Sequence, residues 1–241
     1  MRYKATVSYD GTNYGGWQSQ KNSNSIQTEI EKAISKICNE EIKITGSGRT
    51  DKGVHAIGQV FHFDTEKSFK DIKLAINSQL PQDIHIVEVE QVNDDFHARF
   101  SAVGKHYDYL INLGEYDPLT RNYMLQLGKE LDIEYMKKAA EVFIGEHDFS
   151  SFNATSFKEA ENQSRNIEKI EILLENKCAR LSFYGDGFLR YMVRMLSATL
   201  IEAGLHKISI EEIEQMLNAK DKQACHYNVD GCGLYLVEVF Y

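Results

Sequence analysis

The apolar residues of this chain switch repeatedly between a two-residue and a 3.6-residue period, and that switching limits what it can fold into. Residues 2–9 alternate apolar and polar and run into the turn pair Asp10-Gly11, the pattern of a half-buried strand and its exit. Ile26, Ile30, Ala33, Ile34 and Ile37 then recur at helical spacing, with Asn24 and Gln27 placed as a capping-box-like start. Residues 42–45 read as a short strand, 58–63 as another, and 69–80 as a helix that Pro81 cannot extend. Strands over 84–92 and 105–113 complete a strand–helix–strand–strand–helix–strand order.

The remainder varies the theme. A helix is predicted over 133–143, strands over 167–174 and 179–184, and a long amphipathic helix over 188–203 with Gly204 as its C-terminal cap. Ser209 and Glu212 form a capping box for a further helix, and residues 234–240 form a last strand. The class is α+β with mostly antiparallel strands, in two halves, 1–104 and 105–241. A chain of 241 residues, 42% hydrophobic and 26% charged, can bury a sizeable core.

No run approaches the ~18 apolar residues of a membrane span, and the first residues lack the apolar stretch of an export signal. The four cysteines (Cys38, Cys178, Cys225 and Cys232) are scattered, as in a cytoplasmic chain with reduced thiols. The net charge of −9 runs against a nucleic-acid partner, but it is uneven: residues 1–104 carry −2 and residues 105–241 carry −7. A nucleic acid responds to the local field at a groove, so the nearly balanced first half leaves room for a positive surface.

Several chemistries find no matching motif. The eight histidines never pair with cysteines at zinc-ligand spacing, and no phosphate-cradling or serine-elbow motif occurs. Gly46-Ser47-Gly48-Arg49-Thr50-Asp51-Lys52-Gly53 stands apart: three glycines in eight residues let backbone come close to a substrate beside an Asp. Arg49 lies two positions from Asp51, on the same side of an extended segment, where its charge keeps the carboxylate ionised. A carboxylate with a reference pKa of about 3.9 needs no base to act as a nucleophile. The same residues also suit a plain Thr-Asp-Lys-Gly turn, and local sequence leaves both readings open.

Gly48 to Ala56, continuing into Gly58-Gln59-Val60, resembles the active-site motif of the tRNA pseudouridine synthase A family. The resemblance extends over nearly the whole chain. It takes in Tyr9-Asp10-Gly11-Thr12, Gly16-Trp17-Gln18, Leu80-Pro81-Gln82-Asp83-Ile84, and Phe96 through Ala102. It continues through Tyr107-Asp108-Tyr109, Gly187-Phe188-Leu189, Met192-Val193-Arg194 and Gly233-Leu234-Tyr235-Leu236.

The resemblance implies a pseudouridine synthase fold of two α/β halves about a central active-site cleft. It implies isomerisation of uridine to pseudouridine at tRNA positions 38, 39 and 40, without metal or cofactor, by a cytoplasmic homodimer. Asp51 is then the catalytic residue, attacking C6 of the base or C1′ of the sugar. Tyr107 stacks on the target base, with Tyr109 on the same strand face as its rival. Arg49 fills the space of the flipped base, and Arg194 pairs with the aspartate. Away from the family, Tyr107 reads as a half-buried strand tyrosine and Arg194 as a solvated helix residue. Two stretches depart from the family pattern: Tyr191, where Asn or His is usual, and 226–232, which lacks the usual proline-containing segment. Other readings of the same residues are an RNA-binding module without chemistry, and a nucleosidase using Asp51 with Asp64 as a second carboxylate.

Overall fold

The computed structural model describes residues 1–20, 23–156, 158 and 162–241. Its elements run β1 (Arg2–Tyr9), α1 (Ile26–Cys38), β2 (Thr45–Gly46), β3 (His55–Asp64), α2 (Ile72–Asn77) and β4 (Ile84–Val92). Then follow β5 (Gly104–Asn112), β6 (Leu125–Gln126), α3 (Ile133–Ala140), β7 (Gly145–Asp148), β8 (Ser164–Glu175) and β9 (Cys178–Gly185). Last come α4 (Met192–Gly204), α5 (Ile210–Ala219) and β10 (Leu234–Phe240). The class is α+β with mainly antiparallel sheets flanked by helices, as the alternating periods predicted. By internal contacts the chain divides into two compact units, Met1–Val103 with Tyr235–Tyr241, and Gly104–Leu234.

In the first unit β1 pairs antiparallel with both β3 and β4, and β3 takes β2 on its antiparallel side and β10 in parallel. Eight of the ten β3 residues are buried, so this strand is covered on both faces, and it carries the polar His55, Gln59 and His62 inside. Helix α1 buries Ile26, Ile30, Ala33, Ile34 and Cys38, one stripe at helical spacing. Its cap is Ser25, whose hydroxyl accepts from the Thr28 N–H at 3.2 Å, one residue after the predicted Asn24. The Asn24 carbonyl is instead engaged by the Gly15 N–H at 2.9 Å.

Two predicted elements are shorter than the sequence suggested. Of residues 42–45 only Thr45 reaches the β2 pairing, because Ile42 and Ile44 turn into the core. Helix α2 covers six residues rather than 69–80. The Asp71 carboxylate fixes its start by accepting from the Leu74 N–H at 2.9 Å, and the Asn77 amide ties its end to the Ile86 backbone. Asp64, at the end of β3, holds Arg2 through two oxygens at 2.9 and 2.8 Å. It is an ion-pair partner of Arg2 at the end of the strand.

In the second unit the order is β5-β9-β8-β7, all antiparallel, with β6 parallel to β5. Helix α3 stops at Ala140 and tightens into a 3-10 turn over Glu141–Phe143. Helix α5 carries the Ser209/Glu212 capping box in full. Helix α4 starts at Met192, not at 188, because Tyr191 has φ 63° and interrupts helical backbone. Gly204 is its last residue rather than its cap, which falls on Leu205. A Cβ at 204 would stand 2.7 Å from Cγ and Sδ of Met136, so the glycine lets α3 and α4 approach.

Two outcomes follow for stability. Ile34 is fully buried, and Ile34→Ala should cost about 2–5 kcal/mol in denaturant unfolding. His62, buried against Phe96 and His97, accepts at Nδ1 from the Ala98 N–H at 3.1 Å. Burial first, then the Arg2 charge, lowers its pKa from 6.5 to about 4. The unfolded chain therefore binds the extra proton in that window, so stability falls as pH drops from 6.5 towards 4. That slope should flatten in His62→Gln when urea unfolding is followed across the range.

Candidate active site

The segment between β2 and β3 holds Asp51 in place by ties that all lie within the first unit. Gln59 on β3 is fully buried. Its amide oxygen accepts from the Ser47 hydroxyl at 2.6 Å and the Val60 N–H at 3.1 Å, and its amide nitrogen donates to the Gly48 carbonyl at 3.1 Å. The Thr50 hydroxyl hydrogen-bonds the Tyr9 phenol at 2.8 Å in the core. Burial raises that phenol's pKa far above its ordinary value and keeps it neutral. The Thr50 carbonyl accepts from the Trp17 N–H at 3.0 Å. Gly16, at φ 109°, makes this approach possible: a Cβ there would sit 2.5 Å from the Thr50 carbonyl oxygen.

Exposure alternates along the motif, with Arg49 exposed, Thr50 buried and Asp51 half-exposed. The Asp51 carbonyl accepts from the Val54 N–H at 3.2 Å, closing a turn in which Gly53 has φ 75°. The turn is closed through the backbone carbonyl of Asp51, as the turn reading of this segment expects. Just beyond, the His55 ring stacks on Tyr235 at 4.8 Å and accepts at Nδ1 from the Gly11 N–H at 3.1 Å.

Tyr107 and Arg194 belong to the second unit. Tyr107 sits on β5 opposite Phe183 of β9, is 7% exposed, and meets the Phe188 ring edge-to-face at 5.3 Å. Its rival, Tyr109, has no exposed surface, and its hydroxyl donates to the Asp230 carbonyl at 2.9 Å. That bond and full burial give Tyr109 a core role. Arg194 on α4 is not the solvated residue that the helix pattern alone suggests. Its Nε donates to the Val229 carbonyl at 2.7 Å, and its guanidinium lies 4.4 Å from the centre of the Tyr191 ring.

Among the described residues no group of three or more His, Cys, Asp or Glu side chains is placed to hold a metal ion. No helix among them is long and apolar enough to cross a membrane.

Compared with known proteins, residues 5–101 and 139–241 match the family model described as tRNA pseudouridine synthase. The chain belongs to the tRNA pseudouridine synthase family. Similar proteins include a tRNA pseudouridine synthase A of Listeria monocytogenes, 44% identical over 100% of this chain and 99% of the relative. Another, of Acetivibrio thermocellus, is 41% identical over 99% of this chain and 98% of the relative. A third, named tRNA pseudouridine synthase A 1, from Protochlamydia amoebophila, is 41% identical over 99% and 96%.

Within this synthase chain, Tyr191 and the 226–232 segment meet at one side chain. Tyr191 supplies the ring beside Arg194, and the 226–232 segment supplies the Val229 carbonyl. The sequence reading assigned no role to Tyr9, Gly16 or Gln59, although all three lie in motifs that carried the resemblance. The one usable signal was their clustering as glycine, aromatic and amide residues in otherwise strand-like segments. Gly16→Ala combines a left-handed φ with a backbone clash, so it should destabilise by about 1–3 kcal/mol. Thermal unfolding checks the cost, and proteolysis within 46–53 checks that the loop is the part released.

Proposed function

We propose that this chain isomerises uridine to pseudouridine in the anticodon stem-loop of tRNA, at positions 38 to 40, with Asp51 as nucleophile. The observation that carries the reading is the loop itself. A half-exposed carboxylate stands on backbone fixed by Gln59, Tyr9 and Trp17, in a chain that belongs to the tRNA pseudouridine synthase family. Fixing the nucleophile's backbone beforehand lowers the entropy lost in reaching the reacting carbon.

The target nucleotide leaves its stack at a cost of a few kcal/mol. An Asp51 oxygen bonds to C6 of the base or C1′ of the sugar, and the C1′–N1 bond breaks with its electron pair passing to the uracil. The uracil turns, C1′ bonds to C5, and the aspartate leaves. The proton on C5 is removed and N1 gains one. Atoms and electrons balance within the substrate, so the isomerisation needs no co-substrate.

Tyr107 is the residue proposed to stack on the base, its flat ring suited to contact and its phenol to removing the C5 proton. Arg49, exposed beside Asp51, takes the place the base vacates, as a planar cation that can stack on neighbouring bases. Arg194 serves as the electrostatic partner that keeps the carboxylate ionised. The enzyme acts in the cytoplasm as a homodimer that engages one tRNA with both copies. Despite the net charge of −9, Arg49 and Lys52 are exposed around Asp51, which supports a local attraction for phosphate.

The test is to incubate the protein with unmodified tRNA, without added metal, and map pseudouridine along the strand. New pseudouridines should arise in the anticodon arm. Asp51→Asn should lose at least about 10³-fold in turnover while tRNA binding persists. Undiminished turnover in that variant would end the proposal, and release of free uracil would mark a nucleosidase instead. Tyr107→Phe should fold and bind, yet turn over roughly 10²–10⁴-fold more slowly. Near-normal turnover there would remove the proton-transfer role.

A further inference from the structure

We propose that Tyr191 is a positioning residue: its ring, held on a strained backbone at the start of α4, fixes the guanidinium of Arg194. This rests on the reading of Arg194 as the electrostatic partner of Asp51.

The backbone gives the first reason. Six non-glycine residues among those described have positive φ. Asn39 and Lys220 are the C-caps of α1 and α5, and His206 follows the C-cap of α4, all places where a left-handed residue ends a helix. Asn176 and Lys177 form the two-residue turn between β8 and β9, where positive φ at both central positions matches the twist of the strands. Tyr191, at φ 63°, has no such function, since it precedes a helix. A bulky aromatic is poorly suited to that conformation. It also makes no side-chain capping bond to the helix, whereas Asn would suit the φ. Local stability therefore argues against tyrosine here, and strain kept in place in this way points to a function for the side chain.

The surroundings give the second. The Arg194 guanidinium lies 4.4 Å from the centre of the Tyr191 ring and that of Arg190 lies 5.0 Å from it. An arginine beside an aromatic face is held by stacking and by the ring quadrupole. The ring's perch is fixed in turn. The Arg190 N–H donates to the Thr155 hydroxyl at 2.9 Å, the Arg190 carbonyl accepts from the Ala154 N–H at 2.9 Å, and the Tyr191 carbonyl accepts the first helical bond, from Met195, at 2.9 Å. With Nε bonded to the Val229 carbonyl at 2.7 Å, the Arg194 fork is constrained at its stem and alongside the guanidinium. Its rotation is thereby limited, and a cation held in this way keeps its charge in one direction.

The experiment compares Tyr191→Asn and Tyr191→Phe in the full chain. Asn should raise the melting temperature by about 2–4 °C by relieving strain. It should lower kcat for tRNA pseudouridylation by roughly tenfold, with KM for tRNA unchanged. Phe keeps the ring and should keep kcat within about twofold of the unaltered chain. Independently of activity, the Nε–H resonance of Arg194, displaced by the ring current, should hold its position in Phe and move in Asn. A stabilised Asn variant with undiminished kcat overturns the positioning role, as does an Arg194 resonance that does not move. If the unaltered chain makes no pseudouridine, the reading of the reaction fails, and the resonance alone decides whether Tyr191 holds Arg194.

Discussion

Gln59 is a single amide asked to satisfy three groups in a fully buried place. Its oxygen takes the Ser47 hydroxyl and the Val60 N–H, and its nitrogen reaches the Gly48 carbonyl. A hydrogen bond made inside the protein spares a buried polar group a desolvation cost of about 1–3 kcal/mol. The path of the loop from Gly46 to Gly53 follows from that requirement. Tyr9 and Trp17 extend the same hold to Thr50, one residue before Asp51. The carboxylate is thus placed by a polar network whose members are each satisfied by one another, and such networks define geometry more sharply than apolar packing alone.

Much of this was legible in the sequence where one face of an element is buried and the other wet. The spacing of Ile26, Ile30, Ala33 and Ile34 gives α1 because those side chains meet the core and their neighbours do not. The Ser209/Glu212 capping box is equally local. Legibility fails where a distant residue decides. The start of α2 is set by Asp71 and its end by Asn77, which bonds a strand residue nine positions further on. The start of α4 shifts to Met192 because Tyr191 leaves the helical region, which no propensity scale anticipates for tyrosine. At the candidate site, the glycines and Asp51 stand out by composition. The roles of Gln59 and Tyr9 do not, since a buried amide or phenol is defined by what it bonds.

Arg194 shows how context reverses a local reading. Its place off the apolar stripe of α4 suggests a side chain in water, yet a carbonyl from 226–232 and the ring of Tyr191 hold it. Tyr191 and the 226–232 segment are joined through that contact. A change in one therefore acts on the same guanidinium as a change in the other, and the pair is best viewed as one support.

The parallel pairing of β10 with β3 bears on how the molecule is made. His55 and Tyr235 lie opposite one another in that pairing, although most of the chain separates them in sequence. During synthesis the other strands of the first unit leave the ribosome long before β10 does, so the start of β3, at His55 and Ala56, waits without its parallel neighbour while the second unit is still being added. Loop closure over such a distance is slow, and an unpaired edge invites pairing with other chains. The order of synthesis thus leaves the first unit without its final strand until the chain is nearly finished.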